Sequence, residues 1–351
     1  MSCVIDGEEI DAMSAGSRRY RTFAGIALAV AVLAFWECRT LSADEPNGSA
    51  TAELFGDLNF SKGFTVLDAS RTLGVLRLPV PGLDAAPKQN AVPTWKIAQH
   101  NSKYDLTKGK INVAANLSES VTPGQRLALE RNADGELVLY LDVSTDKEYA
   151  APRKNGEPWI HLLLVRDFPP EERVSFSDAE SIVFSCDARV CDWKRLMTDG
   201  EFNSSVHATQ ASVYFAISND STDSPDYRDY IWFGVSFFDD RAEVQEQYVE
   251  VDGDPRTIGT GKLIYRLGDQ KTIDDVMSGV NPYSKQWAHI EIDLVQYVTE
   301  ALKTAKERGF MTHTDVGDLK LAHFNYGWET PGTYSASLAI KNLRLEATVK
   351  K

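Results

Sequence analysis

Three segments of the sequence place aromatic, imidazole and carboxylate side chains at alternate positions. Successive side chains of a β-strand point to opposite faces, so alternate residues share one face. The longest such row is Trp287, His289, Glu291 and Asp293. The two other rows are His323, Asn325 and Glu329, with Trp328 beside them, and Trp159 with His161. Rings that pack on a sugar, next to groups that hydrogen-bond its hydroxyls, are typical of a carbohydrate site.

The titratable members of these rows indicate which groups could transfer protons. The candidate acids and bases are Glu291, Asp293, Glu329, Asp239 and His289. A polysaccharide lyase would need a charge-neutralising group and a base, for which Tyr326 and His323 are candidates. The simpler alternative is that these are surface residues, since antiparallel strands with one solvated face alternate polar and apolar residues without any function.

The strongest strand pattern is the segment Tyr230–Arg241, YIWFGVSFFDDR. Ile231, Phe233, Val235 and Phe237 alternate with Trp232, Gly234, Ser236 and Phe238, so both faces carry apolar groups. A strand that is apolar on both faces is predicted to lie inside a sheet and to be covered on each side. Trp232 could therefore point into the core or into a groove.

Short strands separated by turn signals fill most of the chain after residue 53. One segment differs: Leu294–Arg308 has apolar residues at helical spacing, Asp293 and Gln296 form a plausible capping pair, and Gly309 follows as a stop. A second short helix is predicted at Thr272–Ser278. Many strands with few helices predict an all-β, antiparallel sandwich of the jelly-roll, lectin- or glucanase-like type, with the last strand, Tyr334–Thr348, near the first ones.

Two resemblances follow from these segments. The strand series, with IWFGVSFFDDR in the middle and FNYGWETPGTYSASLAIKNLRLEA at the end, resembles the concanavalin-A-like sandwiches of secreted carbohydrate-active proteins. That resemblance implies a glycan-binding groove on a concave sheet. HIEIDLVQ resembles the catalytic strand of laminarinase-type glycoside hydrolases at Glu291 and Asp293. The last position of that pattern is Gln296 here, which cannot protonate a leaving group, so we interpret this match as coincidental.

The N-terminal 43 residues have the pattern of a signal peptide. Arg18, Arg19 and Arg21 precede the apolar run Phe23–Trp36, which is shorter than the roughly 20 residues of a membrane-spanning helix. An uncleaved anchor is the alternative, and only then would the protein contact a membrane. Residues 44–52 are predicted to be a linker and 53–351 a single domain, with a separate small domain over 53–155 as the alternative. The expected location is the periplasm or the cell exterior.

Cysteine and aspartate residues suggest two stabilising features, a disulfide bond and a calcium site. Cys186 and Cys191 are the cysteines that remain after signal cleavage, and an oxidising compartment would favour a disulfide between them. Asp239, Asp252 and Asp254 could supply oxygen ligands to a structural calcium ion. The sequence indicates no other cofactor.

The overall charge limits the partners. The chain of 351 residues has 51 acidic and 37 basic side chains, a net charge of −14, and no basic patch with interleaved aromatic residues. Nucleic acid is therefore excluded as an expected partner. The leading hypothesis is a secreted protein that binds a poly- or oligosaccharide, and the expected lining is Trp159, His161, Trp232, Trp287, His323, Asn325 and Trp328. The alternatives are a glycoside hydrolase or polysaccharide lyase on the same fold, and a non-catalytic surface or structural protein.

Overall fold

The computed structural model describes residues 50–69, 71–83, 90–243, 246–253, 259–268, 274–277 and 281–351. The predicted signal segment and the first part of the predicted linker lie outside these ranges. Residues Leu41–Lys351 form one compact unit. Within the described ranges, no helix is both long and apolar enough to span a membrane.

Two β-sheets make up the fold, as the sequence predicts. The eight-stranded sheet contains the following strands: β1 (Ala50–Glu53), β5 (Lys110–Val113), β6 (Leu117–Val121), β7 (Gln125–Arg131), β8 (Leu137–Ser144), β10 (Ala179–Arg195), β15 (Ala288–Asp293) and β17 (Tyr334–Val349). Their order is β15-β10-β17-β8-β7-β6-β5. β1 pairs with the C-terminal part of β17, beyond the part that pairs with β8. All pairs in this sheet are antiparallel.

The nine-stranded sheet contains the remaining strands: β2 (Phe64–Asp68), β3 (Arg71–Leu76), β4 (Trp95–Ala98), β9 (Ile160–Asp167), β11 (Gln210–Asn219), β12 (Tyr230–Asp239), β13 (Tyr248–Val251), β14 (Leu263–Leu267) and β16 (Leu319–Thr330). Their order is β13-β14-β12-β11-β16-β9-β4-β2-β3. Two pairs, β12 with β14 and β2 with β4, are parallel. Strands from the 53–155 region belong to both sheets.

The core lies between the two sheets and is rich in phenylalanine. Phe184 of the eight-stranded sheet packs against Phe215 and Phe324 of the other sheet, with ring centroids 5.5 Å apart in both cases. Phe55, which follows β1, contacts Phe184 and Phe324 as well. Alternation along β11, β12 and β16 sends one set of side chains into this core and the other set to the outer face of the nine-stranded sheet, the face turned away from the core.

The helix α1 (Val295–Glu307) is the predicted amphipathic helix. Its buried face consists of Val298, Ala301, Leu302 and Ala305. Asp293 accepts hydrogen bonds from the backbone N–H groups of Ile182 and Val295, so its carboxylate ties the helix start to β10. Of the second predicted helix, Asp274–Val276 is helical, Met277 follows as a bend, and Thr272, Ile273 and Ser278 lie outside the described ranges.

The structure corrects two expectations about local structure. Residues 50–52 belong to β1 rather than to a linker, because β1 pairs with the end of β17. The predicted disulfide is absent: Cys186 and Cys191 are free thiols on the single strand β10. Five residues along a strand span roughly 16 Å, whereas bridged Cα atoms lie within about 7 Å.

Candidate site on the outer face of the nine-stranded sheet

The candidate site is built from alternate residues of six neighbouring strands, β9, β16, β11, β12, β14 and β13. The strand registers place their outer-face side chains in three rows that run across the sheet. The first row is His161, Glu329, Gln210 and Asp239; the second is Asn325, Tyr214, Gly234, Arg266 and Tyr248; the third is Asp167, His323, Ala216 and Trp232. Each row brings together residues that are distant in the sequence.

The third row carries an aromatic contact that spans a strand. The Trp232 and His323 rings lie with centroids 5.4 Å apart, and between them in the register stands Ala216. A larger side chain at position 216 would separate the two rings. Trp232 is only partly buried, and Tyr230 lies beside it at 5.2 Å. Trp232 therefore points to the outer face, not to the core.

His323 belongs to a hydrogen-bonded chain. Its Nδ1 lies 2.6 Å from Asp167 Oδ1, and Asn325 Nδ2 lies 3.4 Å from its Nε2. Lys96 of β4 pairs with the same carboxylate. Burial would raise the pKa of Asp167, but the hydrogen bonds and charges of His323 and Lys96 outweigh it and lower the pKa. Asp167 is thus an anion that orients His323.

Glu329 is the carboxylate in the first row. Gln210 Nε2 donates to its Oε2 at 2.7 Å, and His161 Nε2 lies 3.6 Å from its Oε1. Burial would raise the pKa of Glu329, but the nearby His161 imidazole, the hydrogen bond from Gln210 and the charge of Arg266 lower it. The carboxyl group is therefore an anion near neutral pH, suited to accept hydrogen bonds or to act as a nucleophile rather than as an acid.

His100 extends this row beyond His161. The two imidazole rings lie 5.7 Å apart, and the Ala69 backbone N–H donates to His100 Nδ1 at 2.8 Å. Burial and the neighbouring His161 lower the pKa of His100 to about 4. His100 is therefore a neutral hydrogen-bonding group at physiological pH.

Asp239, at the opposite end of the row, is an ion-paired side chain. Arg241 Nε and Nη2 donate to its two oxygens at 2.8 and 2.5 Å, and Nη2 also reaches Gln210 Oε1 at 3.2 Å. The Asp239 side chain is wholly buried. Its oxygens are engaged by the guanidinium, so neither a calcium ion nor a proton-transfer role is supported at this position.

The second row contains a tyrosine that lies across a glycine. A Cβ atom at Gly234 would stand 2.3 Å from Cδ1 and Cε1 of Tyr214, so the absence of a side chain there makes room for the ring. Tyr214 hydrogen-bonds Arg266, and burial raises its pKa to about 12. The Arg266 guanidinium lies 5.1 Å from the centre of the Tyr248 ring. The phenol stays protonated and helps to fix the guanidinium.

Two predicted site residues on β16 are in the core instead. Trp328 and Tyr326 are wholly buried, because their parity on the strand directs them between the sheets. Trp328 Nε1 donates to the Leu141 carbonyl of the other sheet at 2.9 Å. Neither can line an open surface, so the roles of Trp328 in binding and of Tyr326 as a base were wrong. Trp159 precedes β9, is partly buried, and lies under Arg153.

The row Trp287, His289, Glu291 and Asp293 lies on the other sheet. His289 and Glu291 are exposed on the edge strand β15, where His289 Nδ1 lies 2.8 Å from Asp187. Trp287 stands between the cations of Arg189 and Lys341. The structure therefore does not bring this row together with His323, Asn325 and Glu329, and Asp293 serves the helix start instead.

The metal prediction receives no support among the described residues, where no group of three or more His, Cys, Asp or Glu side chains is arranged around a common point. Asp252 accepts hydrogen bonds from the backbone and hydroxyl of Thr260 at 3.1 and 2.6 Å. Asp254 lies outside the described residues.

Four outer-face residues were missed by the sequence analysis: Asp167, Gln210, Tyr214 and Arg266. Gln210 and Tyr214 stand in a strand whose residues are all buried, which hides the outer face in a hydropathy pattern. Arg266 is an isolated charge in LIYRL, and that charge was the available signal. A charged residue in an apolar strand needs a partner or a role.

Comparisons with known proteins found similarity at the level of fold. No family model matches the chain, and no curated protein sequence does. A family 12 xyloglucanase from Bacillus licheniformis aligns at 8% identity over 68% of this chain and 97% of its own, with a TM-score of 0.38. An endoglucanase from Rhodothermus marinus aligns at 9% identity over 68% and 97%, with a TM-score of 0.35.

A third solved structure is the xyloglucanase domain of a type three effector from Sinorhizobium fredii, in complex with cellobiose. It aligns at 10% identity over 68% of this chain and 96% of its own, with a TM-score of 0.31. These identities and TM-scores are low, so the function of this chain has to be inferred from its own side chains.

Proposed function

We propose that this protein binds a polysaccharide across the outer face of its nine-stranded sheet. The observation that carries the proposal is the partly exposed Trp232 ring, which contacts His323 across β11. Asn325 hydrogen-bonds the same imidazole, and Glu329 lies on the same face further along β16. A pyranose presents an apolar face to a ring and hydroxyls to amide, imidazole and carboxylate groups, and this face offers all four. The N-terminal arginines and apolar run support export as part of the same proposal.

A glycan array with the purified protein tests binding, and the variant Trp232→Ala tests its location. We expect the variant to bind the best glycan about tenfold or more weakly, because buried tryptophans are dominant contacts in binding sites. Trp287→Ala, on the other sheet, is the matched control and should bind as the wild type does. Equal loss in both variants, or no binding of any glycan, would refute the proposal.

Hydrolysis of the bound glycan is a second candidate function, favoured by the anionic state of Glu329. A retaining hydrolase needs two carboxyl groups about 5 Å apart, and an inverting one about 6.5–9.5 Å. Asp239 is two strands away from Glu329 and is held by Arg241, and Asp167 lies on the third row, six register positions along the strand. Glu329 would thus act as the nucleophile, and the general acid would be a group other than Asp239 and Asp167.

A reducing-end assay on the bound glycan separates the two functions. If the protein is a hydrolase, Glu329→Gln should reduce the rate by at least about 10³-fold while binding persists. Glu291→Gln on the eight-stranded sheet should leave the rate unchanged. New reducing ends that form equally fast with Glu329→Gln would exclude Glu329 as the nucleophile, and an absence of new ends would leave binding as the function.

A further inference from the structure

Arg266 is a buried charge without a full set of partners. The residue is 7% exposed, and its Nε has no hydrogen-bond partner among the described residues. Transfer of an ionised group out of water is costly unless ion pairs and hydrogen bonds compensate. Tyr214 and the Tyr248 ring contact the guanidinium, but both are neutral groups. The charge of Arg266 reaches Glu329 and lowers its pKa, but the described residues place no carboxylate in an ion pair with the guanidinium, so a bound anion would complete the arrangement.

Two serines next to Arg266 are also without partners. Ser212 and Ser236 face each other across β11 and β12, one outer-face step from Tyr214 and Gly234. Their hydroxyls are buried, at 2% and 1% exposure of the residues, and neither has a hydrogen-bond partner in the described structure. Buried polar groups in native proteins are normally satisfied by protein groups, ordered water or a ligand, so these three groups mark a place on the outer face where bound water or a ligand would supply the partners.

The charge requirement indicates what kind of molecule this is. An arginine fork matches a planar carboxylate with two parallel hydrogen bonds, while hydroxyl groups serve the same oxygens or a neighbouring hydroxyl. On the basis of the proposed polysaccharide function, we infer that this face recognises an acidic polysaccharide, with the carboxylate of one uronic acid unit on Arg266.

The position of Glu329 agrees with this assignment. Strands β14 and β16 are separated by β12 and β11, so their backbones lie roughly 14 Å apart at the usual strand spacing. One acidic unit can thus sit on Arg266 while another part of the chain reaches Glu329. The Glu329 anion disfavours a carboxylate beside itself, which fixes the position of the acidic unit.

Matched pairs of polymers test the inference directly. Four uronans (glucuronan, galacturonan, mannuronan and guluronan) and their carboxyl-reduced counterparts differ within each pair only in the carboxylate. We expect at least one uronan to bind the full-length protein about tenfold or more tightly than its reduced form, because hydrogen bonds to a charged group are stronger than those between neutral groups. Calorimetry at constant ionic strength gives both affinities.

Variants localise the effect. Arg266→Met should remove about tenfold or more of the affinity for the uronan and leave the affinity for the reduced polymer unchanged, and Arg266→Lys should recover part of it. Arg71→Gln removes an exposed positive charge at the far edge of the same sheet and is the matched control, expected to bind normally. Circular dichroism establishes that each variant is folded.

The outcomes separate this inference from the function on which it rests. Binding of a reduced polymer as tight as that of every uronan would overturn the acidic specificity and leave polysaccharide binding intact. Failure to bind any of the eight polymers or any glycan on the array would overturn both. If Arg266→Met does not fold, the wild-type comparison of matched pairs still decides the question.

Discussion

At the scale of single residues, the environment rather than the residue type decides the chemistry of this face. Glu291 and Glu329 both alternate with aromatic or imidazole residues in the sequence. The first is exposed at an edge strand, whereas the second is held as an anion by Gln210 and His161. Asp239 is also predicted as an acid or base from the sequence, but both of its oxygens pair with Arg241.

His100 predicts a pH dependence of folding that is separate from that of the carboxylates. Its pKa is about 4 in the folded protein, against about 6.5 unfolded, so the unfolded chain binds more protons between these values. The free energy of unfolding should therefore fall as the pH drops from 6.5 towards 4, by up to about 3 kcal/mol. Urea unfolding at pH 7, 5.5 and 4.5 measures this loss.

The variant His100→Asn keeps an acceptor for the Ala69 N–H but cannot take up a proton. Its unfolding free energy should change less than that of the wild type over the same pH interval. Asp167 and Glu329 have lowered pKa values, so their contributions are retained down to the pKa of an unfolded carboxyl, near 4, and are lost below it. An identical pH profile in wild type and variant would contradict this account of His100.

At the scale of elements, small residues determine what the outer face can hold. Gly234 and Ala216 stand between larger outer-face side chains of the neighbouring strands. Gly234 leaves room for the Tyr214 ring, and over Ala216 the Trp232 and His323 rings meet. Glycine within a strand commonly marks a bulge or a site where another group approaches the backbone closely. Here the close approach is that of an aromatic ring, and it brings Tyr214 to Arg266.

Gly234→Ala tests this role of β12. Its Cβ would stand 2.3 Å from the Tyr214 ring, so the ring or the strand must move. We expect a loss of about 1–3 kcal/mol in the free energy of unfolding, the usual cost of overpacking. Gly200→Ala is the matched control, because a Cβ there meets nothing within 4 Å. Equal stability of both variants in urea would contradict the prediction.

A second prediction at this scale concerns Cys186 and Cys191, the two thiols of β10. Alkylation in denaturant without reductant should label both Cys186 and Cys191 in the peptide that contains them. In the folded protein Cys186 should resist labelling, because it is wholly buried and burial raises its pKa well above the usual value. Mass spectrometry of the peptide measures the labels, and an unlabelled disulfide-linked form would show that the strand geometry is wrong.

At the scale of the whole molecule, the first and the last of the described strands pair and close the fold. β1 pairs with the last residues of β17, and Phe55 directly after β1 packs in the core. Its ring contacts Trp95, Phe184 and Phe324, which belong to both sheets. The domain therefore depends on residues that adjoin the segment expected to be a linker.

Phe55→Ala should be strongly destabilising. The loss of a buried phenylalanine and the cavity left behind cost about 3–5 kcal/mol. Val92→Ala is the control, since Val92 is 83% exposed. Thermal and urea unfolding of both variants measure the difference, and a Phe55→Ala protein as stable as the control would show that Phe55 is not part of the core.

The sequence by itself determined most of the strands, the helix and the fold class. The strand predicted within Tyr230–Arg241 is β12, Tyr230–Asp239, because the alternation of side chains is a local property. The strands β1, β3 and β6 were not predicted. The first two are largely exposed, and the buried positions of β6 are Ser118 and Ser120, which give no apolar alternation.

Only the tertiary structure decided which polar rows meet. The row at Trp287 and the row at His323 look alike in the sequence, yet they lie on opposite sheets. Strand order depends on pairing between residues that are distant in the chain, such as Tyr214 with Asn325. It is fixed by the joint burial of both sheets, and no local pattern contains that information. The same pairing placed Arg266, whose Nε has no hydrogen-bond partner among the described residues, beside Tyr214, where the proposed function can be tested.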